Sequence, residues 1–164
     1  MTVFFEKPGQ QNTKKTLELA AQKAKEGNIE TIVVASTSGA TALKALNVCQ
    51  GLKVIGVGSY RNRASSKEFQ QFTKKGGTVV FAYDDVSYNY PEKTQSLFRE
   101  KAGEGGKVAI EVAVVATLAG LVKENEKVIG IGGTYPGADT AFVVSGTKEF
   151  SEDKVLEVIC QPRT

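Results

Sequence analysis

The stretch Thr31-Ile32-Val33-Val34-Ala35-Ser36-Thr37-Ser38-Gly39-Ala40-Thr41 decides the fold. Its first five residues are mostly β-branched and do not alternate with polar ones, as expected of a strand covered on both faces in a parallel sheet. The next six are small or hydroxylated around one glycine, and over 41–49 the apolar spacing becomes helical. The same rhythm continues on either side. Upstream, Val3–Phe5 reads as a short strand, Pro8-Gly9 as a turn, and Asn12 or Thr13 as the N-cap of a helix. That helix carries Leu17, Ala20, Ala21 and Ala24 on one face and closes at Gly27. Downstream come a strand over 53–57, a helix over 66–75 with Phe69 and Phe72 inward, and a strand over 78–82. A polar, tyrosine-rich loop follows over 83–91. A charged helix then runs from Glu92 to the glycines at 103, 105 and 106. Residues 108–122 suit helix or strand by composition, and their length favours a buried helix. Strands over 127–131, 141–144 and 155–159 complete the pattern of an α/β fold with a largely parallel sheet. At 164 residues, one domain over 1–164 is expected.

Composition narrows the chemistry. Hydrophobic residues make up 41% and charged residues 24%, which excludes a disordered chain. Lys and Arg number 21 against 18 Asp and Glu, with no block of like charge, so nothing argues for nucleic acid as a partner. The absence of histidine removes the imidazole base, the Ser-His and Cys-His pairs and the commonest metal ligand. Cys49 and Cys160 have no partners at zinc-site spacing, so no metal is expected and both read as reduced structural thiols. No cationic leader or long uncharged apolar window occurs, so the expectation is a cytoplasmic protein with no membrane partner.

Ligands of open parallel sheets sit beyond the carboxyl ends of the strands. The turn Ser36, Thr37, Ser38, Gly39, Ala40, Thr41 can aim backbone N–H groups, hydroxyls and a helix dipole at one phosphate. It lacks a Walker lysine, because Lys44 comes too late. The competing reading is that Ser38 or Thr41 only caps the helix. Gly58, Tyr60 and Arg61, with Arg63 nearby, can hold further phosphate oxygens and stack on a ring. Asp84 and Asp85 form a carboxylate pair without a third acid beside them, and a solvated loop is the stronger reading. In 130–140, Gly133, Thr134 and Gly137 allow close backbone approach, and Asp139 can accept from a ribose or ribityl hydroxyl. The dinucleotide fingerprint is absent: Tyr135 stands where its third glycine belongs. Glu111 is the one acid in an apolar run; it reads as the polar edge of a helix or, if buried, as an acid/base group.

The segments Phe4-Phe5, Pro8-Gly9, Asn12-Thr13, 34–42 and Gly132-Gly133-Thr134 with 137–141, taken in this order, resemble a family of stand-alone proteins similar to the C-terminal domain of pyruvate kinase. The resemblance implies a three-layer α/β/α sandwich with a mostly parallel mixed sheet. In pyruvate kinase the related domain binds an allosteric sugar phosphate through a loop corresponding to residues 36–41 and takes part in subunit contacts. Catalysis there lies in a barrel of about 250 residues, which this chain is too short to hold, so kinase activity is not carried over. Members of the stand-alone family share a pocket suited to flavin mononucleotide (FMN). The chain departs from the family pattern in the loop after the fourth strand, which lacks a histidine, and in the late helix, which lacks an early Asp.

The expected function is binding of a phosphorylated small molecule, with FMN as candidate cofactor, in a sensor, carrier or allosteric role. The alternative is a flavin-dependent oxidoreductase or an enzyme acting on a phosphate ester, with Asp84, Glu111 or Asp139 moving the proton. A homo-oligomer is expected, with the apolar segment 108–121 as its interface.

Overall fold

The computed structural model describes residues 1–134 and 136–163, so Tyr135, the fingerprint-breaking residue of the glycine turn, lies outside the described residues. The chain runs through β1 (Val3–Phe5), α1 (Thr13–Gly27), β2 (Thr31–Ala35), α2 (Ala40–Val48), β3 (Lys53–Gly58), α3 (Lys67–Lys74) and β4 (Thr78–Phe81). It continues through α4 (Glu92–Leu118), β5 (Lys127–Gly132), β6 (Thr140–Ser145) and β7 (Val155–Pro162). The strands form one sheet in the order β1-β7-β6-β5-β2-β3-β4. Only β6 opposes its neighbours; the other pairings are parallel.

Strand periodicity assigns the two faces. Ile32 and Val34 of β2 pack with Leu17, Ala42, Phe69 and Phe72 of α1, α2 and α3. Val33, between them, points the other way and packs with Ile110, Ala113 and Val114 of α4. The result is a three-layer α/β/α sandwich with a mostly parallel mixed sheet. Each fully buried Val or Ile contributes about 1.5–3 kcal/mol, so β2, buried through its first four residues, anchors both cores.

The winding explains where a ligand can sit. From β2 the chain steps outward through α2, β3 and α3 to β4, then returns through α4 to β5 on the opposite side of β2. Right-handed crossovers in opposite directions put α2 and α3 on one face and α4 on the other. Beyond the carboxyl ends of β2 and β5 the connections diverge, which leaves the crevice typical of a topological switch point.

Several expectations shift. The charged and apolar segments after Glu92 form one helix, α4, bent where Gly103 leaves helical geometry (φ 81°, ψ 172°). Its end lies at Leu118, short of residue 122, because Gly120 takes a left-handed conformation (φ 78°). Gly120 N–H then donates to the Thr117 carbonyl and Leu121 N–H to that of Ala116, each at 3.0 Å, which caps the helix. Segment 108–121 packs against the sheet through Ala109, Ile110 and 112–117. Val108, Leu118, Ala119 and Leu121 of the same segment are only partly buried. Cys49 and Cys160 are buried and free, and burial pushes both thiols up to about 11. Among the described residues, no helix is long and apolar enough to cross a membrane, and no group of acids and cysteines is placed to hold a metal.

Candidate functional site

A cleft of about 560 Å³ opens over the carboxyl ends of β2, β3 and β5 and runs under the first apolar turns of α4. Such volumes suit small-molecule ligands. One wall is the turn between β2 and α2, whose geometry is set from within. Ser36 is buried, and its hydroxyl accepts from Gly39 N–H at 3.1 Å and Ala42 N–H at 3.2 Å. The Ser38 hydroxyl accepts from Ala40 N–H at 3.3 Å, while its carbonyl accepts from the Ser66 hydroxyl at 2.6 Å. Ser66 in turn caps α3 by accepting from Phe69 N–H at 3.1 Å. The N–H groups of Thr37, Ser38 and Thr41 have no protein hydrogen-bond partner among the described residues. All three residues line the cleft.

Gly39 has φ 98° and stands behind this wall. A Cβ there would lie 2.6 Å from Phe69 N and 2.8 Å from Phe69 Cγ. The glycine is therefore required by the close approach of α3, in addition to any ligand.

Of the residues expected at the site, the structure brings Ser36, Thr37, Ser38, Ala40, Thr41, Gly58, Gly133 and Gly137 into the lining of one cleft. Gly39, Tyr60, Arg61, Thr134 and Asp139 are not part of that lining. The physical reasons differ. Arg61 donates its backbone N–H to Asp84 at 2.6 Å and its side chain to Asp85, with the guanidinium 5.3 Å over the Phe81 ring. Burial works to raise the Asp85 carboxyl, but hydrogen bonds from Arg61 and Phe81 N–H hold it below its ordinary value. The carboxylate pair thus binds arginine. Arg63, two residues on in the short 3-10 turn, lines the cleft in place of Arg61. Tyr60 stacks on Tyr83 with ring centres 4.8 Å apart.

Asp139 is fully buried and already satisfied: it accepts from Gly9 N–H at 2.9 Å, Thr134 N–H at 3.2 Å and the Thr140 hydroxyl at 2.8 Å. In place of a ligand hydroxyl it ties the residues before α1 to the loop after β5. The strand glycines also serve the protein itself. A Cβ at Gly130 would run into the Ala109 carbonyl oxygen, and one at Gly132 into that of Gly105, so α4 lies directly on the β5 backbone.

Of the opposite wall, the sequence pointed to Glu111 but not to the groups around it. Lys107 is 8% exposed and sits between Glu104 at 3.3 Å and Glu111 at 3.7 Å. Glu111 also accepts from the Gln95 amide at 2.9 Å, and the same amide nitrogen donates to the Tyr88 hydroxyl at 2.8 Å. Burial raises the Glu111 carboxyl, against the pull of Lys107 and Gln95. Burial, together with the nearby Glu111 charge, raises the Tyr88 hydroxyl as well. Tyr83 and Tyr90 reach the cleft and stack on each other at 5.7 Å. Lys44 joins the turn from one helical step further along α2 than Ala40 and Thr41.

The raised Glu111 carboxyl carries a pH signature. The folded protein keeps a proton that the unfolded chain releases near pH 4.5. The stability contributed is complete below that pH and declines as pH rises toward the folded value, because the unfolded state then binds fewer protons than the folded one. Glu111→Gln is expected to flatten this decline in urea midpoints collected from pH 4 to pH 8. Identical slopes in the two proteins would contradict the assignment.

Sequence comparison agrees with the architecture: the profile of the family described as pyruvate kinase, alpha/beta domain, matches residues 14–144. The match spans most of the chain, from the start of α1 through β6 and including the turn after β2. The chain therefore belongs to the pyruvate kinase alpha/beta domain family.

Proposed function

We propose that the cleft binds a phosphorylated small molecule, with the phosphate on the turn between β2 and α2, in a sensor, carrier or allosteric role. The observation that carries this reading is the set of three N–H groups, from Thr37, Ser38 and Thr41, left without partners among the described residues at a helix N-terminus that lines a large cleft. Helix N-termini favour anions through their free donors and dipole. Lys44 and Arg63 add positive charge to the same cleft.

FMN is the candidate ligand, and the residues present fit it. The turn supplies phosphate donors, Gly133 and Gly137 line the cleft, and Tyr83 and Tyr90 offer aromatic surface at its edge. Bound FMN would supply redox chemistry of its own. The protein's part would be to hold the phosphate with main-chain N–H groups, orient the remainder along α4 and shield it from water with Val108, Val112 and Val115.

Titration of the purified protein with FMN, followed by quenching of flavin fluorescence, tests the reading, with inorganic phosphate as competitor. Saturable binding that phosphate weakens is expected. Ser38→Ala should cost about 0.5–1.5 kcal/mol, roughly two- to tenfold in affinity. Absence of binding by FMN and by other phosphomonoesters would overturn it.

A further inference from the structure

Three acids were candidates for moving a proton, and the structure separates them. Asp84 is engaged by the Arg61 backbone at the surface, and Asp139 is sealed from the cleft by its three donors. Glu111 alone faces the cleft. Its Oε2 is fixed by Gln95, itself only 4% exposed, while Oε1 is turned toward Lys107 at 3.7 Å. That contact is a salt bridge longer than a hydrogen bond, and burying such a pair is a weak means of stabilising a fold. Around it α4 is Val, Ala and Ile.

We propose that the cleft catalyses proton transfer at a carbon beside a carbonyl group of a phosphate-anchored ligand, with Glu111 as the base and Lys107 as the cation that stabilises the oxyanion. The inference rests on the phosphate reading of the turn. Because α2 and α4 cover opposite faces of the sheet, the turn at the α2 N-terminus and Glu111 line the same cleft from different walls. The substrate class is then a phosphorylated aldehyde or ketone. The α-carbon C–H bond breaks and its proton passes to a Glu111 oxygen. The electron pair forms the C=C bond of an enolate, and the former carbonyl oxygen carries the negative charge beside the Lys107 ammonium. Return of the proton to the same carbon regenerates the substrate, with no net oxidation and no co-reactant. A base works best when its pKa lies near the operating pH, and burial moves Glu111 in that direction. The charged and titratable groups around it are Glu104 and Lys107 on α4 and Tyr88 and Tyr90 from the preceding loop.

Dihydroxyacetone phosphate and fructose 6-phosphate, incubated with the protein in D2O and followed by proton NMR, test the step as loss of the α C–H signal. Binding of the same compounds is read separately by ³¹P NMR, with inorganic phosphate as competitor. The expected result is exchange above the buffer rate, reduced at least 100-fold by Glu111→Gln with unchanged phosphate binding and partly restored by Glu111→Asp. Lys107→Met should slow exchange as well, and thermal melts establish that each variant is folded. Binding without exchange by the wild-type protein, or equal exchange by Glu111→Gln, overturns the proton-transfer proposal and leaves the phosphate reading standing. Failure of these compounds and of inorganic phosphate to bind overturns both.

Discussion

Gly39→Val is expected to destabilise the protein by about 3–5 kcal/mol, combining the cost of a left-handed backbone for a β-branched residue with overpacking against α3. The midpoint of thermal unfolding should fall by roughly 10 °C or more at this chain length. The cause is visible in the corner where α2 meets α3: φ at Gly39 is 98°, and even a methyl group would press on the Phe69 backbone nitrogen and ring. Gly39→Ala should therefore be nearly as damaging. Differential scanning calorimetry of both variants checks this. A variant that melted like the wild type yet bound no anion would show that the glycine serves the ligand alone.

Removal of the Asp139 side chain is the second large effect. Asp139→Ala strands the N–H groups of Gly9 and Thr134 in a buried site, at about 1–3 kcal/mol each, and frees the loop after β5 from the segment before α1. Asp139→Asn should be milder. Its one oxygen can still accept from both N–H groups, while the Thr140 hydroxyl turns to accept from the new amide. A loss of about 1–3 kcal/mol is expected from the missing charge-assisted bonds. Urea unfolding of the two variants should rank alanine well below asparagine. Equal stability of both variants and the wild type would mean that Asp139 faces solvent or ligand after all.

These two residues mark the boundary of what a single sequence discloses. The strand, turn and helix over 31–48 were legible because every determinant is local: β-branched run, hydroxyl turn and helical spacing lie within one short window. The role of Asp139 was not, because its first donor, Gly9, lies 130 positions away and meets it only in the folded chain. The glycines after β5 were legible as sites of close approach, but sequence does not say what approaches, and the answer is α4.

The same limit applies to the cleft. Gly58 and the residues of the turn were identified from their place after strands, which the fold rule makes informative. The choice between Arg61 and Arg63 depended on the rotation of a short 3-10 turn, and Asp85 captures the first of the two. Lys107 and Glu111 went unpaired in the sequence because residues 108–122 suited helix or strand; only helical spacing of four puts both on one face. Once α4 is known to be a helix from Glu104 onward, that signal is plain.

The central claim is that the turn between β2 and α2 holds a phosphate. Diffraction from crystals of the protein soaked in FMN tests it most directly. The account predicts the phosphate within hydrogen-bond distance of the N–H groups of Thr37, Ser38 and Thr41, with the rest of the ligand lying along α4 between Tyr90 and Val112. A phosphate bound elsewhere, with these three N–H groups facing only water, would contradict it.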